Sequence, residues 1–188
     1  MNFPTKKYSI IYADPPWTYD DKALSGNRGA GCKYDLMTID ELKKLPINQI
    51  ANDNCVLAMW CTWPQISEGL DLINVWGFEY KTKLFTWVKT NSNGTIFMGM
   101  GRHTRSNDEF ILLGTKGKGI SRLDAGIKSI ILSQYTSHSE KPNIFRSKIV
   151  QLYGDLPRIE LFARTKVHGW DVWGNDEKLE ATPLESFF

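Results

Sequence analysis

The feature that most constrains this chain is a short apolar segment that stops at two consecutive prolines. Tyr8–Ala13 is rich in β-branched and aromatic residues, which is typical of a buried strand. Asp14-Pro15-Pro16-Trp17 follows directly, and neither proline can donate a hydrogen bond to a sheet or rotate freely about φ. The sequence therefore predicts a stiff loop at the carboxyl end of a buried strand, where open α/β sheets bind their ligands.

The residue types of this loop suit a planar amino group. The Asp14 carboxylate and the Pro15 carbonyl are neighbouring hydrogen-bond acceptors, and an amino group offers two N–H donors. Trp17 adds a flat apolar face on which a nucleobase could stack. A rigid turn around a buried tryptophan explains the same four residues equally well, so the residue types alone leave both interpretations open.

Strands and helices alternate along the rest of the chain. A capping box at Thr38 and Glu41 predicts a helix that ends near Lys44. The other predicted elements are a turn at 52–54, a strand at 55–61, a helix from 64 to 76 that Gly77 ends, strands at 78–89 and 110–114, a hairpin tip at 115–121, a helix that follows Pro142 and ends at Gly154, and a strand at 158–163. This order favours a mostly parallel sheet flanked by helices. The sequence has no G-x-G-x-x-G fingerprint and no Walker A pattern.

Length and composition indicate one globular domain. The 188 residues are enough for a single full core, with 1–188 as one domain and 178–188 as a loosely ordered tail. No segment approaches the ~20 apolar residues of a membrane span, and no signal-peptide core is present. Cys32, Cys55 and Cys61 lack the spacing of metal ligands. We therefore expect a reduced, cytoplasmic protein with no membrane partner and no metal.

The charge distribution points to a phosphate-facing surface. The net charge is only +2, but residues 78–122 contain eight Lys and Arg against three Asp and Glu. Such asymmetry is typical of a surface that meets phosphates, although an ordinary solvated face would explain it as well. The glycine-rich segment 18–37, which contains Arg28, is a second candidate for phosphate contact, with a flexible surface loop as its alternative.

The loop after the first strand carries a family resemblance. Asp14-Pro15-Pro16-Trp17 behind a hydrophobic strand resembles motif IV of the amino-methyltransferases that modify adenine. More narrowly, it is similar to the MT-A seventy-kilodalton family, with its phage and bacterial members, over roughly residues 8–177. The resemblance implies a single-domain, Rossmann-like α/β sheet that uses S-adenosylmethionine. The catalytic motif comes first and the cofactor motifs come last, which resembles the permuted β-type order.

The resemblance also implies a substrate surface. Residues 99–109 match a glycine-rich segment near the acceptor base, in which Arg105 suits phosphate and Glu109 a base edge. Relatives carry an aromatic residue where Arg102 or His103 stands here, which favours phosphate contact over stacking. The expected substrate-binding residues are Arg28, Arg102, Arg105, Glu109, Lys116 and Lys118.

Two later segments resemble the family's cofactor site. Lys141, in His138-Ser139-Glu140-Lys141-Pro142, matches the lysine expected to meet the carboxylate of S-adenosylmethionine. In the strand at 158–163 and just beyond it, Phe162 matches a residue that stacks on the cofactor's adenine, and Arg164 one that binds its ribose. The expected cofactor-binding residues are Asp14, Lys141, Phe162, Arg164, Asn175 and Asp176.

Together these features predict methyl transfer from S-adenosylmethionine to the exocyclic amine of adenine. The expected catalytic residues are Asp14, Pro15, Pro16 and Trp17. DNA is the favoured substrate, as implied by the compact relatives, and we expect a monomer or a homodimer. Adenine in RNA and a non-catalytic nucleic-acid-binding partner remain the alternatives.

Overall fold

The structure is a computed structural model that describes residues 3–18, 36–101, 103–136 and 140–174. These residues form one seven-stranded sheet with helices packed on both of its faces. The strands are β1 Tyr8–Ala13, β2 Ala51–Cys61, β3 Glu79–Thr90, β4 Asp108–Lys116, β5 Ile130–Gln134, β6 Arg158–Leu161 and β7 Asp171–Trp173. The helices are α1 Ile39–Lys44, α2 Ile47–Ile50, α3 Ile66–Val75 and α4 Ile144–Tyr153, with a 3-10 turn at Trp63–Gln65.

The sheet is mixed, with a single reversed strand among those described. Its order is β5-β3-β4-β2-β1-β6-β7. β4 pairs antiparallel with both β2 and β3, whereas the pairs β1–β2, β1–β6, β6–β7 and β3–β5 are all parallel. Six strands therefore end at the same edge of the sheet, and β4 begins there. This arrangement confirms the predicted α/β sheet flanked by helices.

Alternation along the central strands divides the core into two layers. On β1, Ile11 and Ala13 face α1, α2 and α3, while Ile10 and Tyr12 face α4. Nearly all of these side chains are fully buried, as expected for strands covered on both faces. The sheet is thus held rigidly from both sides, and its edges are free to carry functional side chains.

Several predicted element ends are confirmed. Thr38 and Glu41 form the capping box, since the Thr38 hydroxyl accepts from Glu41 N and the Glu41 carboxylate accepts from Thr38 N. Gly77 and Gly154 follow the last turns of α3 and α4 with φ of 84° and 91°, a conformation that glycine adopts without strain.

Two local predictions are wrong, and two strands were missed. Residues 52–54 belong to β2 rather than to a turn, because Asn52 and Asn54 use their side-chain amides in hydrogen bonds to Ser9 Oγ and Lys118 N. Residues 115–121 are not a hairpin tip, because the next strand, β5, pairs with β3 and not with β4. The short strands β5 and β7 lie at the two sheet edges and lack a strong alternating pattern. No helix of the described ranges is long and apolar enough to cross a membrane.

Candidate active site

The candidate site lies where β1 and β6 end side by side. Asp14 N donates to Leu161 O at 3.4 Å, so the two strands stay paired to their last residues. From this point the chain leaves β1 towards β2 on one side, and leaves β6 towards β7 on the other. Such a topological switch point opens a crevice at the carboxyl ends of the strands. A cavity of about 350 Å³ occupies this place, lined by residues 14–17, 60–62, 97–100, Lys89, Ser106, Glu109, Tyr135, Lys141 and Arg164.

The loop after β1 is fixed by its own hydrogen bonds. Trp17 N donates to Pro15 O at 2.9 Å, and Met37 N donates to Pro16 O at 2.9 Å. Trp17 is only 7% exposed and packs mainly into the core, so the cavity meets no more than part of its ring. A carbonyl oxygen has two lone pairs, and the Pro15 carbonyl therefore keeps one for a ligand.

Four charged side chains form a continuous ionic cluster in the cavity wall. Lys141 Nζ lies 3.0 Å from Asp14 Oδ1 and 3.2 Å from Glu109 Oε2. Lys89 Nζ lies 2.6 Å from Glu109 Oε1. These side chains are between 11% and 18% exposed, and their formal charges cancel. We call Asp14, Lys141, Glu109 and Lys89 the cavity cluster.

The pKa values of the cavity cluster follow from this pairing. Burial alone would lower the pKa of Lys141, but Asp14 and Glu109 outweigh it, and the pKa of the ammonium is raised. Burial alone would raise the pKa of Glu109, but Lys141 and Lys89 outweigh it, and that pKa is lowered. Both groups consequently remain ionised at neutral pH.

Aromatic rings surround the two lysines. Lys141 Nζ lies 5.2 Å from the centre of the Trp60 ring, and Lys89 Nζ lies 5.0 Å from that of Trp87. Tyr135 is stacked on Phe97 with 4.8 Å between ring centroids. Ammonium groups are attracted to ring faces, and the apolar walls strengthen the charge interactions inside the cavity.

Two neutral groups in the wall have different chemistry. The Thr62 hydroxyl is buried and has no hydrogen-bond partner in the described part of the chain. Since an unpaired buried hydroxyl is costly, a ligand that pairs with it would gain affinity. Burial raises the pKa of the Cys61 thiol to about 12, so this thiol stays protonated and is a poor nucleophile.

A second ion pair lies beneath the cavity. Arg146 on α4 donates through Nε and Nη2 to the two carboxylate oxygens of Glu160 on β6, at 2.6 and 2.5 Å. Its Nη1 donates to Asn143 Oδ1 at 2.7 Å. Both charged residues are buried, and the guanidinium lies 5.6 Å from the Tyr12 ring. This pair ties α4 to the strand that ends beside Asp14.

The structure brings most of the predicted catalytic and cofactor residues to one place. Asp14, Pro15, Pro16, Trp17, Lys141 and Arg164 all line the cavity, together with the predicted substrate residue Glu109, although these residues come from four separate parts of the chain. Phe162 is placed differently. It packs against Trp76 and Trp173, with ring centroids 6.5 and 5.5 Å away, and does not line the cavity.

The predicted substrate surface is not continuous. Lys116 is the last residue of β4, paired with Cys55, and Lys118 lies just beyond it. Lys116 is seven positions along the strand from Glu109, which is about 23 Å. Both lysines were expected to act with Arg105, but β4 crosses the whole sheet between Arg105 and these two lysines, so they do not share one surface with the cavity. Arg105 is exposed at the cavity edge of the sheet. Arg28, Arg102, Asn175 and Asp176, together with His138 and the tail, lie outside the described residues.

The cavity residues that were not predicted from the sequence include three with polar groups: Lys89, Thr62 and Tyr135. Each lies at or just after the end of a strand, in β3, β2 and β5 respectively. The rule that ligands bind at strand ends would have singled out Thr62, whose strand was predicted. It could not have found Tyr135, because β5 was missed, and nothing in the sequence pairs Lys89 with Glu109.

Comparison with known proteins shows which family and which proteins this chain is similar to. The sequence profile of the MT-A70 family matches residues 8–176. The Type II methyltransferase M.MunI of a Mycoplasma species is 38% identical over 94% of this chain and 82% of its own. The human N(6)-adenine-specific methyltransferase METTL4 is 28% identical over 91% of the chain and 38% of its own. The human N(6)-adenosine-methyltransferase catalytic subunit METTL3 is 29% identical over 84% of the chain, which spans only 26% of METTL3.

Proposed function

The chain belongs to the MT-A70 family, and we propose that it transfers a methyl group from S-adenosylmethionine to the exocyclic amine of adenine in DNA. The observation that carries this proposal is the position of Asp14. Its carboxylate stands at the carboxyl end of β1, in the cavity at the switch point, on a loop that two prolines stiffen.

Asp14 and the Pro15 carbonyl are the two acceptors for the amine. The nitrogen's lone pair is delocalised into the adenine ring, which makes the amine a poor nucleophile. Hydrogen bonds from its two N–H groups to these acceptors would orient the nitrogen and localise that lone pair. Asp14 also stabilises the positive charge that develops on the nitrogen during transfer. Trp17 and Pro16 complete the loop, with the rim of the Trp17 ring against the base.

The residues around the cavity also fit the cofactor. S-adenosylmethionine supplies an electrophilic methyl group when bound. An ammonium has three N–H donors, and Lys141 uses two for Asp14 and Glu109, which leaves the third for the cofactor's carboxylate. Arg164 lines the same cavity and suits the ribose, and the unpaired Thr62 hydroxyl is a further group for a polar ligand. Asn175, Asp176 and Phe162 stay assigned to the cofactor on the resemblance alone.

Several observations support DNA and a single domain. M.MunI, a Type II methyltransferase, resembles this chain over 82% of its own length, whereas the resemblance to METTL3 covers only 26% of the METTL3 sequence. One continuous sheet contains every described strand, which supports residues 1–188 as one methyltransferase domain. A paired adenine must leave the duplex before Asp14 can reach its amine. Arg105 and, from outside the described residues, Arg28 and Arg102 are the proposed phosphate contacts.

The direct test is expression in a host that lacks adenine methylation, followed by sequencing of modified adenines in its DNA and RNA. We expect N6-methyladenine in DNA at a defined recognition sequence, and none in cells that express Asp14→Ala. Modification confined to RNA would show that the substrate is RNA and not DNA. If neither nucleic acid is modified, and S-adenosylmethionine does not raise the melting temperature of the purified protein, a non-catalytic binding role would be the better interpretation.

A further inference from the structure

The rim of the cavity carries an exposed apolar segment that the proposed chemistry does not use. Met98 and Met100 both line the cavity, yet they are 75% and 89% exposed. Ile96 is 47% exposed, while Phe97 and Gly99 are partly buried. Side chains in an extended segment alternate between two sides, so Ile96, Met98 and Met100 share the outer side. Neighbouring exposed apolar side chains at a site are a mark of binding surfaces.

The backbone beneath the two methionines is braced. Phe97 N donates to Lys89 O at 2.9 Å, and the Phe97 ring stacks on Tyr135. The chain then folds back on itself. A Cβ atom at Gly99 would lie 1.9 Å from Ser106 O, and one at Gly101 would lie 1.8 Å from Thr104 O, so only glycine permits this close approach. The methionines therefore extend as flexible side chains from a supported backbone.

We propose that Met98 and Met100 form a wedge that enters the base stack of duplex DNA and fills the space left by the extruded adenine. The wedge rests on the proposed function, because the base that leaves the duplex is the one that Asp14 receives. Three features support it. The side chains stand at the mouth of the cavity that holds Asp14, they are apolar, and the exposed Arg105 nearby can hold the phosphate backbone.

Methionine suits this role. Proteins that deform DNA often insert Met, Leu, Ile or Phe between bases, because an apolar side chain replaces part of the lost stacking. Methionine is unbranched and polarisable, so it adapts to whichever bases flank the target. Extrusion of a paired adenine costs a few kcal/mol, and a single-stranded adenine avoids most of that cost. The wedge should therefore matter for duplex substrates far more than for single strands.

The test compares Met98→Ala/Met100→Ala with the wild-type protein on two forms of one substrate: unmethylated phage genomic DNA, native and heat-denatured. The readout is the ratio of the methyl-transfer rates on native and denatured DNA. We expect the double variant to lower this ratio roughly tenfold, because only the duplex requires extrusion. Met98→Leu/Met100→Leu should restore most of the ratio. Ile96→Ala, an exposed apolar residue on the same side that does not line the cavity, is the matched control and should leave it unchanged.

The other outcomes overturn the wedge. Equal losses on both forms would mean that the methionines contact the adenine or the cofactor directly. Unchanged rates on both forms would mean that they face solvent or dock a protein partner. A wild-type protein that methylates neither form would refute the proposed function itself, and the wedge with it. A wild-type protein that is active while the variant's ratio is unchanged would refute the wedge alone.

Discussion

Two ionic groups lie near the end of the sheet: the cavity cluster and the Arg146–Glu160 pair. The formal charges cancel within each group, but the two groups differ in how their hydrogen-bonding atoms are paired. Arg146 donates two parallel hydrogen bonds to Glu160, and its Nη1 donates a third to Asn143 Oδ1. In the cavity cluster, each lysine ammonium acts as a compact charge. Among the described residues, Asp14 is paired with Lys141 through one carboxylate oxygen, Oδ1. In the Arg146–Glu160 pair both carboxylate oxygens and three guanidinium donors are paired. In the cavity cluster Lys141 keeps its third N–H donor for a ligand.

This difference separates a structural role from a catalytic one. A buried pair that lost one partner would leave an uncompensated charge, so its removal costs stability. A group at a cavity wall with an acceptor to spare can change partners when a ligand arrives. We therefore expect substitutions in the cavity cluster to affect activity first, and substitutions in the Arg146–Glu160 pair to affect stability first.

The largest effect should follow Asp14→Asn. The amide keeps the shape of the side chain but removes the negative charge and can present a donor where the amine needs an acceptor. Methyl transfer should fall by roughly 10²–10³-fold, as for the loss of other preorganised electrostatic contacts. The rate of methyl transfer under saturating cofactor measures this. A variant within tenfold of the wild type would contradict the proposed role of Asp14.

Arg146→Met should have the largest effect on stability, about 3–5 kcal/mol in the free energy of unfolding, because Glu160 would be left buried and unpaired. Urea denaturation measures this change. The double variant Arg146→Met/Glu160→Leu is the matched control and should recover most of the loss. If the double variant is as unstable as the single one, the packing of the Arg146 stem, and not its charge, holds α4 against β6.

The sequence predicted β1 and the start of α1 well because their signals are local. The run Tyr8–Ala13 with its two prolines, and the capping box at Thr38, depend on neighbouring residues only. Pairing across the sheet is not local. Lys89 and Glu109 are twenty residues apart and meet because β3 and β4 are antiparallel neighbours. The sequence gives no signal for that pairing.

Two further features of the structure could not be read from the sequence for the same physical reason. Lys116 follows Glu109 closely in sequence, but an extended strand carries it to the opposite edge of the sheet. Arg146 and Glu160 were not singled out, because charged residues in a helix and a strand normally face solvent. Their burial depends on the contact between α4 and β6, which no periodicity reveals.

Glu109→Gln should have an intermediate effect that depends on pH. The folded pKa of Glu109 is lowered, so its pairing stabilises the protein above the ordinary glutamate value of 4.5 and is lost as pH falls through the folded value. We expect the variant to be less stable than the wild type at pH 7, by about 1–3 kcal/mol. The difference should shrink as pH falls below 4.5. Thermal unfolding at pH 7 and at a series of acidic values measures this, and an equal difference at every pH would contradict the ionic role.

The smallest effect should come from Lys116→Gln/Lys118→Gln. This variant tests whether lysines at the edge of the sheet away from the cavity contribute to DNA affinity. Lys116 Nζ donates to Asn48 O and Ala51 O at 3.2 and 3.3 Å, at the sheet edge away from the cavity. Duplex DNA bound over Asp14 would not need these residues. The slope of log affinity against log salt concentration should therefore stay unchanged in the double variant. The control is Arg105→Gln at the cavity edge, which should reduce the slope by about 0.9, the value for one phosphate contact. A reduced slope in the lysine variant would show that DNA also reaches the opposite edge of the sheet. Lys116 would then have to exchange its hydrogen bonds to Asn48 O and Ala51 O for a phosphate contact.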